Sequence, residues 1–311
     1  MSTAWTSQRM QALFDSVKNW GRWGSEDQAG ALNFITAAKR LEAARCVIAG
    51  ESVSCARDLA VQPAPDNPHP ALHMIVQGGD DCVSPGSDLE ATMDFVGVAF
   101  HGMSTSHIDA LCHIFVDGRM YNGFPGLEVR STGARFGSIM CARDGIVSRG
   151  VLLDLPRVLG RRWLEPGEAI MIEQLEAAER AQGVTAGTGD ILLVATGRDA
   201  RRAEHGPWSV GELGLAGLHA ECAAWLHRRE IAVLGCDGVS DCFPGLGIPG
   251  WSAPIHQCAI AGMGIHLLDN LRLDALADAC ARHGRWSFQL TVAPLRVDRG
   301  TGSPINPIAL L

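Results

Sequence analysis

An α/β fold, a mixed sheet with flanking helices, is predicted by three features of the chain. The Arg149-Gly150-Val151-Leu152-Leu153-Asp154-Leu155 segment and the uninterrupted apolar runs at 191–195 and 231–236 read as buried strands. Stretches at 168–182 and 218–229 carry apolar residues at helical spacing and separate those strands. Strands alternating with helices favour parallel pairing, because a helical crossover returns the chain in its original direction.

The elements follow in order. Residues 7–19 form an amphipathic helix with Met10, Leu13, Phe14 and Val17 on one face, ended by Gly21 and Gly24. A second helix is expected over 37–49, closed by Gly50, and then a strand over 52–61. Four prolines make 62–70 an irregular loop. His69 and His73 stand four apart there, but Pro70 between them disfavours the helix that would pair them. Residues 93–101 read as a strand. Asn122-Gly123 is a hairpin signal, and Phe124-Pro125-Gly126 behind it could wall a pocket. The helix over 168–182 ends at Gly183. Ser209 to Glu212 has the pattern of a capping box, and the helix over 218–229 turns Cys222 and Trp225 inward. Residues 245–250 match G-x-G-x-x-G, yet Pro244 and Pro249 interrupt and no helix opens there, so this is a loop at a pocket rim. Asp237 and Asp241 beside it read as turn formers.

Composition narrows the function. With 311 residues, 47% hydrophobic and 19% charged, the chain can bury a large core. A net charge of −8 and a pI near 5.7 offer no broad basic surface for nucleic acid. No apolar run approaches the roughly 20 residues that span a bilayer. The opening residues lack the apolar core of a signal peptide, and the 10 cysteines are irregularly spaced with no C-x-x-C pair. Reduced thiols in a cytoplasmic protein are the expectation.

The chemistry concentrates at 101–113, where three of the chain's 11 histidines and one carboxylate fall together. His107 and Asp109, two apart on an extended segment, point to one face and suit Zn²⁺, Mn²⁺ or Fe²⁺. Six extended residues would carry His113 roughly 20 Å from His107. A helical turn after Asp109 would instead bring it back as an i, i+4 neighbour. Cys112 is a conceivable nucleophile, but adjacent helical residues diverge, so His113 could not readily activate it. A metal site, a non-haem iron triad and a solvated strand all remain open from spacing alone.

The motif H-x-D-A-x-x-H, from His107 to His113, resembles the signature of the cyclase-type metal-dependent hydrolases, the group of bacterial kynurenine formamidase and isatin hydrolase. Trp23-Gly24 through Asn33, Thr188-Gly189-Asp190 through Gly197, and His256 with His266 through Leu271 are similar to other segments of that family. The resemblance implies a swivelling β/β/α-type fold in one domain over 1–311, with an N-terminal helical extension to about residue 50. It implies metal ligands at His107, Asp109, His256 and Asp269, with His113 as catalytic base. Two departures matter. Asp269 stands where the family has a longer glutamate, and Met103 replaces the family's first histidine. A thioether is a poor ligand in an oxygen-rich site, so one ion, zinc or manganese, is expected rather than two. Trp23, His101, Met103, Phe124 and Gln257 are expected to contact substrate. The implied reaction is hydrolysis of a small cyclic amide, imide, lactone or formamide by a homodimer or homotetramer. An iron oxygenase and a non-catalytic small-molecule-binding member are the alternatives.

Overall fold

The computed structural model describes residues 5–81 and 91–311. Its strands of three or more residues are β1 (Ser52–Ser54), β2 (Leu72–Gln77), β3 (Met93–Gly97), β4 (His107–Asp109), β5 (Ile146–Asp154), β6 (Ile191–Ala195), β7 (Val233–Cys236), β8 (His266–Asp269), β9 (Ser287–Val292), β10 (Gly302–Pro304) and β11 (Ile308–Leu310). β2 and β3 pair only with each other. The other nine form one mixed sheet in the order β1-β11-β9-β5-β6-β7-β8-β4-β10. β5 to β8 are parallel. Every junction outside that block is antiparallel.

The uninterrupted apolar runs are explained by burial on both faces. In β6, Leu192 and Val194 enter one core together with Leu175 and Ala178 of helix α3 (Ile172–Gln182) and Trp225 and Leu226 of helix α5 (Cys222–Arg228). Ile191 and Leu193 enter the opposite core with Leu276 and Cys280 of helix α6 (Asp274–His283). Between these lies helix α4 (Arg198–His205), and before them α1 (Ser7–Ser16) and α2 (Ala37–Ala44). The mixed sheet with flanking helices is thus the arrangement the alternation predicts.

Several local expectations are revised. α2 ends at Ala44 rather than near 49, because the amides of Ala49 and Gly50 bond instead to the carbonyl of Leu311. β1 stops at Ser54, and the chain leaves the sheet there, with the Arg57 amide donating to Ser106 Oγ. Asn122-Gly123 makes no β-hairpin. Asn122 adopts φ +61° and donates its amide to the carbonyls of Gly24, Ser25 and Asp27, locking the N-terminal loop down. Ser209 makes no side-chain cap. The 245–250 loop opens no helix, as expected.

One buried ionic knot ties this scaffold together. Asp190, fully buried at the start of β6, accepts from Arg149 Nε at 2.9 Å and lies 2.5 Å from Lys39 Nζ of α2. It therefore joins α2, β5 and β6. Removing one partner of a buried pair leaves uncompensated charge. Asp190→Asn should lower stability by roughly 3–5 kcal/mol in denaturant unfolding; a loss under about 1 kcal/mol, the range of an exposed pair, would contradict this role.

Candidate metal centre

Alternation along β4 sends Ile108 into a core and turns His107 and Asp109 to the opposite face. Register in the antiparallel β4–β8 pair sets Asp269 directly across from His107. The fourth group arrives on a helical turn, Pro254–His256. Asp241 pins that turn by accepting the amides of Ile255 at 2.7 Å and His256 at 3.0 Å. The same carboxylate bonds His256 Nδ1 at 2.6 Å, leaving Nε2 to face inward. His107 is oriented in the same manner, its Nδ1 bonding the Thr105 carbonyl at 2.8 Å.

The inward-facing atoms converge. His107 Nε2 lies 3.5 Å from Asp109 Oδ1, and His256 Nε2 lies 3.6 Å from Asp109 Oδ2 and 3.2 Å from Asp269 Oδ2. Four ligands about 2.0–2.2 Å from a tetrahedral ion stand roughly 3.3–3.6 Å apart, so these spacings match the edges of a coordination shell. Asp109 is 1% exposed, and neither of its oxygens makes a well-aligned hydrogen bond, the imidazole nitrogens beside it being poorly directed. A buried carboxylate so poorly satisfied is costly, and a cation would relieve it. His107, Asp109 and Asp269 offer three ligand atoms within 4.8 Å of one another. The donor set therefore fits a divalent cation.

Electrostatics agree with that reading. Burial opposes ionisation of Asp109, but nearby His101, His256, His107 and His113 together hold its carboxyl well below the usual range. Burial also opposes a charge on His256, yet Asp269, Asp109 and Asp241 around it raise its affinity for a proton well above the ordinary value. The chain alone thus surrounds this imidazole with carboxylates that call for positive charge.

His101 and His113 close the other side. Their rings stack with centroids 4.0 Å apart and an interplanar angle of 2°. His101 Nδ1 is 2.9 Å from Asp109 Oδ1 and His113 Nε2 is 3.9 Å from it. These two side chains are 27% and 29% exposed, against 1–4% for Asp109, Asp269 and His107, so solvent reaches the centre from their side. The turn after Asp109 that brings His113 back is tight, the His113 amide bonding the Ala110 carbonyl at 3.0 Å. Burial pushes His113 down to about 4 and leaves it neutral at neutral pH. Burial likewise pushes the Cys112 thiol up to about 12, which removes it as a nucleophile.

The remaining expected contacts have partners of their own. Trp23 packs edge-on against Phe34 beside Arg22, whose partner Glu230 lies at the amino-terminal end of the parallel strands, opposite the end that carries Asp269. Phe124 stacks on Phe136 at 4.3 Å. Gln257 spends its side chain on the Gly250 carbonyl and the Ala253 amide. Met103 packs against the cluster of Trp208, Val210, Leu215 and Val239. Of the expected substrate contacts, His101 is in direct contact with the convergent groups. Asp237 does not shape its own turn as expected: its carboxylate takes the amides of Thr196, Gly197 and Arg198 on the neighbouring loop. Asp241 is more than a turn former. Its role, with those of Ser240, which donates to Asp269 Oδ1 at 3.1 Å, and of Asn270, was missed in the sequence. The adjacency of Asn270 to Asp269 was the available signal for the last.

Comparison with known proteins follows the same lines. The Cyclase family model matches residues 52–240, more than half of the chain, a span that includes His107, Asp109 and His113. A crystal structure of a novel cyclase is 28% identical, covers 94% of this chain and 99% of that one, and superposes with a TM-score of 0.81. An isatin hydrolase bound to the product analogue thioisatinate shares the fold at 20% identity, with coverage of 88% and 95% and a TM-score of 0.59. A predicted metal-dependent hydrolase from Bacillus stearothermophilus does so at 16%, with coverage of 83% and 97% and a TM-score of 0.51. None of the curated proteins matches. The family match and the arrangement of its motif residues lead to one conclusion: this chain belongs to the Cyclase family.

Proposed function

We propose that the chain is a metal-dependent hydrolase that opens or cleaves a small cyclic amide, imide, lactone or formamide. The observation that carries this reading is the set of 3.2–3.6 Å spacings among His107, Asp109, His256 and Asp269 around a buried carboxylate whose near neighbours are imidazole nitrogens. These four groups would hold one zinc or manganese ion. Such an ion, when bound, polarises a carbonyl and lowers the pKa of water. His113 stands at the exposed side, positioned to take a proton from the attacking water and return it to the leaving nitrogen or oxygen. His101 stacks on His113 and fixes its plane. His101, Asp109 and His113 also offer three ligand atoms within 4.8 Å of one another, but the two rings are stacked in parallel planes 4.0 Å apart, which favours this pairing over a second ion. Four protein groups also leave fewer open positions than the three-ligand face of an iron oxygenase. The fold shared with isatin hydrolases is in keeping with hydrolysis. A single domain is in keeping with β1 pairing with β11 near the far end of the chain. Nine free cysteines among the described residues suit a reducing cytoplasm, and among those residues no helix is long and apolar enough to cross a membrane.

Purified protein should carry about one divalent ion per chain by elemental analysis. In a screen of lactones, cyclic imides and N-formyl aromatics, hydrolysis should stop on adding chelator; activity indifferent to chelator in an ion-free preparation would refute the mechanism. His113→Ala should keep the ion and lose 10²–10⁴-fold in kcat, the usual worth of a positioned acid–base group. Unchanged turnover would remove His113 from the chemistry, and a chain with ion but no hydrolysis on any substrate would favour the binding-only reading.

A homodimer or homotetramer is also proposed, with the β2–β3 hairpin as the contact between copies. Leu72, Met74, Ile75, Val76, Phe95 and Val96 are 46–61% exposed and lie on both faces of this ribbon. An isolated two-stranded ribbon is marginal in water. These side chains expose on the order of 600 Å², most of the ~800 Å² per partner that a stable interface buries. Light scattering after size exclusion should give a dimer or tetramer for the native chain and a monomer for Met74→Asp/Phe95→Asp. A monomeric native chain would contradict this assignment.

A further inference from the structure

The segment 102–106 enters β4 without regular structure of its own, yet it must deliver His107 to within a few tenths of an ångström of a coordinating position. Its carbonyls converge on one side chain and that side chain's support. Asn270 is fully buried and follows Asp269 directly. Its Nδ2 donates to the Gly102 carbonyl at 2.7 Å and to the Thr105 carbonyl at 3.3 Å. Thr105 is the residue whose carbonyl orients His107 Nδ1. Asn270 Oδ1 accepts from Arg198 Nη1 at 2.7 Å, and Arg198 Nη2 donates to the Met103 carbonyl at 2.5 Å. The Asn270 carbonyl takes Ser106 Oγ at 2.6 Å and Arg57 Nε at 3.0 Å. Every residue from 102 to 106 except Ser104 is therefore tied to Asn270 or to the arginine behind it.

Arg198 deepens the point. It is 3% exposed, and its guanidinium donates to neutral acceptors, Asn270 Oδ1 and the carbonyls of Met103 and Asp237. A cation is thus buried here to grip oxygen atoms of the ligand-bearing loops rather than to pair with a carboxylate. Asn270 itself sits at φ +55°, in the left-handed region. Glycine meets that backbone demand better than any residue with a side chain. What asparagine adds is a carboxamide, and both of its ends are used.

Resting on the cation reading above, we propose that Asn270 is a positioning residue for the metal centre. Its carboxamide locks the loop that carries His107 to the strand that carries Asp269, so the two ligands meet at one point. The residue touches neither substrate nor ion, and acts through His107. Outer groups that orient metal ligands typically contribute 10–100-fold in affinity.

The substitution Asn270→Gly separates the two possible roles, because it keeps the left-handed backbone and deletes the carboxamide. Zinc and manganese affinities of the metal-free full chain are measured by competition with a chromophoric chelator, alongside its thermal stability. Ser148→Ala serves as a control, since it removes a buried hydrogen bond, to the Gly189 carbonyl, at the far end of the sheet. Asn270→Gly is expected to bind 10–100-fold more weakly than the native chain, while Ser148→Ala loses stability and keeps native affinity. Should Asn270→Gly not fold, Asn270→Asp carries the same test, because it retains the size and the Arg198 contact but has no N–H for the Gly102 and Thr105 carbonyls. Affinity within twofold of native in the folded variant overturns the inference and leaves the metal centre standing. A native chain that binds neither ion overturns the cation reading and this inference with it.

Discussion

Asp109 is the group on which the rest of the structure depends. It is a buried carboxylate whose oxygens make no well-aligned hydrogen bond and that has four imidazoles around it. Protein interiors do not tolerate such a group unless something of opposite charge meets it. Asp241 and Asp269 add to the negative charge nearby, and His256 answers them by holding a proton more tightly than a free imidazole would. A divalent cation satisfies all of these groups at once. The same demand explains why so many neighbouring atoms serve to orient rather than to react: Asp241 and the Thr105 carbonyl each hold the outer nitrogen of a histidine so that the inner one points at Asp109.

The sheet makes that convergence possible. β6, β7 and β8 run parallel, so Thr196, Asp237 and Asp269 all emerge at one edge. Ligand sites of open α/β sheets gather at such carboxyl edges. β4 enters antiparallel beside β8, and its first residue, His107, lies across from the last residue of β8. A one-residue slip of that register would turn His107 and Asp109 into the core and Ile108 outward, abolishing the centre. The strands are short, three and four residues, so register cannot rest on ladder hydrogen bonds alone. Loop bonds from Asn270, Arg198 and Ser106 supply what the short ladder lacks.

Much of this was readable in the sequence where local pattern decides the outcome. The apolar runs at 191–195 and 231–236 lie in parallel strands buried on both faces, because such strands admit no polar residue. Period two along β4 made His107 and Asp109 partners before any coordinates. What could not be read depends on contacts far apart in the chain. Asn122-Gly123 has the chemistry of a hairpin turn but is captured by carbonyls of Gly24, Ser25 and Asp27, nearly a hundred residues earlier. Asp241 looked like a turn former until its 15-residue separation from His256 closed into a 2.6 Å hydrogen bond. Trp23 belongs to a motif of the family but serves packing at the opposite end of the sheet. Membership of a motif does not place a side chain at the centre.

X-ray absorption at the zinc edge of the loaded chain reads the shell itself. Nitrogen and oxygen only are expected, near 2.0–2.2 Å, with the outer scattering of two imidazoles. Sulfur scattering near 2.3 Å, the distance of a cysteine ligand, would contradict that shell, as would the absence of imidazole scattering from the bound ion.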